Sequence, residues 1–130
     1  MNKALSILSA TAWISISEFI RNNVLLKSFW TDHYSNLGIV FPEKAINGAL
    51  WGLWSLLFAV AIYFIAIKFT LAQTTFLSWF VAFVMMWVVI GNLGVLPLTI
   101  LWLAIPLSIV ETFVAVLIIK KFQNKKSSGI

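Results

Sequence analysis

Charge-free stretches set the pattern of this chain. Between Lys68 and Glu111 stand 42 consecutive residues without a charged side chain, and Ile46 to Ile67 adds a further 22. As one straight helix the longer run would extend ~63 Å, about twice the ~30 Å hydrocarbon thickness of a bilayer, so it has to fold back. Its turn signal is Gly91-Asn92-Leu93-Gly94 with Pro97 just beyond. Glycine and asparagine tolerate positive φ, and proline suits a first helical turn. The pattern predicts one helix over residues 71–90 and another over 97–119, preceded by a helix over 46–67. A further span over 4–26 is serine-rich and interrupted near its far end by Glu18 and Arg21. It inserts if its polar side faces the bundle.

The expected fold is therefore an all-α integral membrane protein, a single domain built as a bundle of four transmembrane helices. Residues 29–45 form its one sizeable connection, mixing Phe29, Trp30, Tyr34 and Phe41 with Asp32, His33, Glu43 and Lys44. Aromatic residues with polar tips favour the headgroup zone, so this loop is expected to lie along the interface, with Gly38 and Pro42 breaking any long helix.

Composition agrees. The chain is 62% hydrophobic and 10% charged, against roughly 45–50% and 25% in ordinary soluble domains. A soluble fold of 130 residues keeps too much of its surface wet to hide that much apolar area. The first residues resemble a signal peptide with Ala10 and Ala12 as a cleavage context, but hydrophobicity continues past them and the segment reads as a retained helix.

The net charge of +5 does not suggest a nucleic-acid surface. Lys120, Lys121, Lys125 and Lys126 sit in a tail, residues 120–130, directly after an apolar stretch, without a basic-aromatic groove. Four crossings put Lys3, Lys68 and these four lysines on one side, and Arg21, Lys27 and Lys44 on the other. The excess of positive charge then predicts a cell (plasma or inner) membrane protein with both termini in the cytoplasm. Cysteine is absent, which excludes disulfides, thiolate catalysis and Cys-ligated metals. Neither a metal site nor a cofactor is expected.

Glu111 is the most informative position. Eight residues before Ile119, it lies ~12 Å inside the end of its helix. A carboxylate at that depth is costly and should face the interior, where it is paired, hydrogen-bonded or protonated. No basic residue is expected at matching depth, which leaves Ser108, Ser15, Ser55 or Tyr63 as partners. Such an acid serves either as a proton or cation site or as a polar tie between helices.

Glu18 and Arg21 lie three apart on one helix face with Asn22 beside them, so they should pair locally, with Arg21 reaching for the headgroups. Ser15 and Thr11 continue the polar stripe. In length, helix count and the acid Glu18 of its first span, the chain resembles the small multidrug-resistance transporters. Arg21 beside that acid and the second acid, Glu111, depart from the family pattern, and no activity is carried over.

Gly48, Gly52, Ser55 and Ala59 form a small-residue stripe on one helix, and Ala104, Ser108, Thr112 and Ala115 form another. Such stripes let membrane helices approach closely, within one chain or between copies. Pro106 removes one hydrogen bond from the interior of its helix, frees the Trp102 carbonyl and is expected to kink it. Asp32, His33 and Tyr34 are adjacent, so they do not point into one acid-base site. The tryptophans, Trp13, Trp51, Trp54, Trp79, Trp87 and Trp102, read as packing and interface anchors.

The function expected from sequence is non-enzymatic: a small scaffold or accessory protein acting through helix packing in the lipid bilayer, with itself or another membrane protein. The alternative is a small proton- or cation-coupled transporter using Glu111 and Glu18. An enzyme acting on lipids would need His33.

Overall fold

The computed structural model describes residues 2–128, with side chains for residues 3–124, and all its regular structure is helical. Four rods are long and apolar enough to cross a membrane: Lys3–Leu25, Ala45–Lys68, Leu71–Asn92 and Leu98–Asn124. The first has the lowest mean hydropathy of the four, 1.2 against 1.9–2.3, as the serines and charges of residues 4–26 imply.

Helix α1 (Asn2–Ile20) runs without a break into a π-helical turn, Arg21–Leu25, closed by the Leu26 N–H on the Arg21 carbonyl at 2.8 Å. Helix α2 (Lys27–Asn36) follows. The connecting segment expected over 29–45 is thus half helical, a difference from the expected loop. Gly38, with φ +77°, ends α2 in a left-handed turn in which the Ile39 N–H returns to the Tyr34 carbonyl. Residues beyond it double back so that Phe41 stacks on Trp30 (5.9 Å between ring centres) and meets Tyr34 edge-on (5.1 Å).

Helix α3 (Ala45–Lys68) starts where Asn47 accepts from the Lys44 N–H. Two residues, Phe69 and Thr70, join it to helix α4 (Leu71–Trp79), and Thr70 and Gln73 cap α4 reciprocally. A second π turn, Phe80–Val84, leads directly into helix α5 (Met85–Asn92). Gly91 and Asn92 stay helical, and the turn is made by Leu93 and Gly94 (φ +78°) with the Val95 N–H on the Ile90 carbonyl.

A single 3₁₀ turn, Leu98–Ile100, then opens helix α6 (Leu101–Ser128), which passes through Pro106 as one helix. The lysine-rich segment expected as a tail continues this helix as far as Ser128. Residues 129 and 130, and the side chains of Lys125 and Lys126, lie outside what the structure describes.

Burial runs opposite to that of a soluble bundle. Helix α1 buries Ser6, Ala10, Ile14 and Glu18, one every fourth residue; α6 buries Ala104, Ser108, Glu111, Thr112 and Ala115. Phe83, Ile62 and Ile119 also fill the core, yet many other bulky side chains point away: Leu8, Phe19, Phe76 and Trp102 are 60–70% exposed. Many large apolar side chains outside, with polar residues among those inside, is the distribution that an apolar surrounding selects.

Helix α1 packs mainly on α6 and α3, and α6 also packs on α4. At one end Lys3 lies over the rings of Tyr63 and Phe64, and Lys120 donates to the Ala66 and Phe69 carbonyls at the close of α3. Helix α2 and the Gly94 turn occupy the opposite end, where a His33 ring nitrogen lies 2.8 Å from the Gly94 carbonyl oxygen. Lys3, Lys68 and Lys120 therefore share one end, as four crossings require.

Candidate functional site: a buried acid–arginine–acid cluster

Side-chain tilt brings the site together. Every Cα–Cβ bond of a helix leans toward that helix's N-terminus. Helices α1 and α6 are antiparallel, so Glu18 and Arg21 lean toward the lysine end while Glu111 leans toward the α2 end. They meet. Arg21 Nη2 donates to Glu18 Oε1 at 2.6 Å, and Arg21 Nη1 lies 3.5 Å from Glu111 Oε1.

Two expectations are corrected here. Arg21 does not reach for the headgroups but is 7% exposed, and Glu111, fully buried, has a basic partner after all. The depth of each Cα misled, because an arginine side chain spans the offset.

Of the partners expected for Glu111, none bonds its carboxyl. The Ser108 hydroxyl donates to the Ile105 carbonyl and accepts from the Trp79 indole; Ser55 donates to the Trp51 carbonyl; Tyr63 lies at the lysine end. Ser17 and Glu18 face the Glu111 carboxyl instead, with Arg21 Nη1 in an ion pair to it at 3.5 Å. Glu18 is fully engaged, its Oε2 accepting from Asn22 Nδ2 at 2.9 Å. Asn22 Oδ1 in turn accepts from the Trp30 indole at 3.1 Å, linking the cluster to α2.

Both π turns serve this place. The first carries Arg21, and the second carries Phe83, whose ring centre lies 5.1 Å from the guanidinium carbon. A π turn inserts a residue and redirects the side chains after it, and such turns concentrate at functional sites. No residue pattern in the sequence announces either turn. Sequence reasoning missed Phe83 for that reason, and missed Asn22 and Trp30 as a relay because their contact depends on the turn.

Two cavities flank the cluster. The larger, ≈ 720 Å³, opens at the α2 end; Arg21 and Asn22 line its inner part and Trp30, Trp51, Trp54 and Trp87 its walls. The smaller, ≈ 150 Å³, lies between α1 and α3 against Ser15, Glu18, Gly48, Gly52 and Ser55. At Gly48 and Gly52 a Cβ would meet nothing within 4 Å. Inside the chain these glycines therefore leave space open rather than bring helices into close approach; the packing expected between copies is a separate matter. Ser55, Ala59 and Ser108 are buried.

Asp32, His33 and Tyr34 diverge: His33 meets the Gly94 carbonyl, Tyr34 joins the aromatic stack and Asp32 is exposed. Among the described residues no three His, Cys, Asp or Glu side chains group to hold a metal.

No known family model, no curated protein and no solved structure matches this chain. Function has to be read from the chemistry of the cluster. Two carboxyl groups share one guanidinium in a poorly solvated interior, so the site carries one negative charge too many unless it also holds a proton or a cation. Glu111 is held by the longer of the two Arg21 contacts, 3.5 Å against 2.6 Å for Glu18.

Proposed function

We propose that the chain is an integral protein of a cell membrane, non-enzymatic, with both termini in the cytoplasm, and that it is a small proton-coupled carrier. Glu111 binds and releases the proton, Arg21 holds the cluster together, and Glu18 anchors Arg21. The observation that carries this reading is the surplus carboxyl: Glu18 and Glu111 share the single guanidinium of Arg21, and Arg21 lines a ≈ 720 Å³ cavity.

The test is current on a solid-supported membrane bearing vesicles of the purified protein, against a panel of anionic, zwitterionic and cationic amphiphiles. Some member should give a current that needs a pH gradient and vanishes in Glu111→Gln. A current that survives that substitution, or none across the panel, removes the carrier reading.

The packing scaffold expected from sequence keeps one specific support. Gly48 and Gly52 form a small-residue face that nothing in the chain fills, and a second membrane protein could fill it.

A further inference from the structure

The walls of the larger cavity are built from rings. Trp30, Tyr34 and Phe41 form one set, with centres 5.1–6.3 Å apart. Trp51, Trp54 and Trp87 belong to a second, linked through Phe83 by contacts of 5.7–5.9 Å. All six line the cavity, and among the described residues no ring contact joins the two sets. The space therefore separates two aromatic walls. It is also open sideways: Phe19 on α1, and Leu50 and Trp51 on α3, line it and are 62%, 54% and 42% exposed on the outer face of the bundle. A lipid-soluble molecule can enter there without first crossing into water.

Charge selects against an ion. Arg21 already faces two carboxyl groups, and Lys27 is matched by Glu43 at 3.5 Å, which leaves no free carboxylate on the wall to hold a cation. Lys44 is exposed, so water meets its charge. What remains inside is a set of neutral donors. The indoles of Trp13, Trp30 and Trp79 each donate to an oxygen, whereas those of Trp54 and Trp87 have no hydrogen-bond partner among the described residues. Asn47 commits its amide oxygen to the Lys44 N–H at 3.0 Å, and its NH2 group is left over. Unpartnered N–H groups on an aromatic wall call for a neutral ligand with acceptor oxygens.

We infer that this cavity binds the ring of a lipid-soluble quinone. The ring lies between the two aromatic walls, a carbonyl oxygen accepts from the Asn47 amide, and the alkyl tail leaves past Phe19, Leu50 and Trp51. A quinone ring is flat and electron-poor, which complements the electron-rich face of an indole. The ≈ 720 Å³ volume lies in the range of sites for whole organic ligands, mostly apolar with a few placed polar groups. A neutral occupant leaves the surplus carboxyl of the acid–arginine cluster to the proton, so the site goes beyond the carrier reading and does not depend on it.

Isothermal titration of the full chain in detergent micelles, with protein-free micelles subtracted, tests the site. The probes are decylbenzoquinone, decylbenzene and decylpyridinium, which share one tail. The quinone should bind about tenfold tighter than decylbenzene, which has a similar ring and no acceptor, and decylpyridinium no tighter than decylbenzene. Asn47→Asp keeps the oxygen that caps α3 and removes the NH2 donor. It should weaken the quinone roughly threefold to tenfold and leave decylbenzene unchanged. Gly48→Leu puts a side chain where a Cβ meets nothing within 4 Å and should weaken both. Equal binding of quinone and decylbenzene, or a quinone preference untouched by Asn47→Asp, overturns the site. Tighter binding of decylpyridinium assigns the cavity to organic cations and overturns it too. Asn47 is only half-buried, so its variant decides the matter even if Gly48→Leu does not fold. Binding is read without any gradient, so a quinone site without proton-driven current would remove the carrier and leave the site.

Discussion

Trp13 on α1 donates its indole N–H to the backbone carbonyl of Glu111 on α6, 2.9 Å away and 98 positions along the chain. The bond fixes the height of one helix against the other at the level where the charged cluster forms. It makes the Arg21–Glu111 contact a property of two locked rods, since a slip of one helical turn, ~5.4 Å, would separate the partners.

Trp13→Phe keeps the ring and deletes the bond. Polar contacts between membrane helices average about 0.6 kcal/mol, so stability should fall by roughly 0.5–1 kcal/mol. Urea or SDS unfolding in micelles, followed by helical circular dichroism, measures it. A loss above ~3 kcal/mol would mean that the indole does more than bridge.

Arg21→Gln leaves two buried carboxyl groups without their shared cation. Breaking a buried pair from one side costs about 3–5 kcal/mol, while removing both charges costs far less. Arg21→Gln should therefore unfold readily and Glu18→Gln/Arg21→Gln should recover most of the loss. If the single variant is as stable as the parent, the cluster does not hold the bundle.

Glu111→Gln keeps shape and removes the exchangeable proton. Because the amide fills the same space and the 2.6 Å Glu18–Arg21 pair stays whole, stability should change by less than ~1 kcal/mol while gradient-driven current disappears. The scaffold reading expects both to persist, so one pair of measurements separates the two.

Cysteine is absent from the chain, which makes single-cysteine labelling clean. Ser35→Cys in α2 should react with a membrane-impermeant maleimide in intact cells, and Asn124→Cys at the end of α6 only after permeabilisation. Reaction of both from the same side would contradict the four crossings.

Gly52→Leu adds a side chain where a Cβ meets nothing within 4 Å. The monomer should tolerate it, with stability within ~1 kcal/mol of the parent. If the glycine face docks on a second protein, light scattering of the detergent-solubilised particle should show a loss of mass. Unchanged mass removes that support for the scaffold.

Much of the fold was legible because helices apolar enough to span a membrane write a coarse code. Runs without charge mark three of the four rods, a Gly-Asn segment marks the fold-back, and lysines collect at one end. The Glu18–Arg21 pair follows from i,i+3 spacing on any helix. What escaped depends on where side chains go after the backbone is placed. Arg21 reaches Glu111 through opposed tilts and a long stem, neither visible when positions are counted along an axis. The π turns at Arg21–Leu25 and Phe80–Val84 have no residue signature, so Phe83 beneath the guanidinium could not be foreseen. Gly48 and Gly52 announce a narrow stripe, but whether it is filled or left hollow is decided by the opposite helix. Lys27–Asn36 mixes polar and aromatic residues without a clean period, which hid a helix inside an expected loop.

The dependence of α1 on α6 reaches back to biosynthesis. Helix α1 leaves the ribosome well before α6 is made, and meanwhile Glu18 and Arg21 lack the surface that later encloses them. During that interval the least greasy rod rests on its own ion pair and on whatever the insertion machinery lends it. If the rods span a membrane as proposed, a nascent chain halted before α6 keeps an orphaned polar face in the bilayer, a mark by which quality-control proteases could recognise unfinished copies.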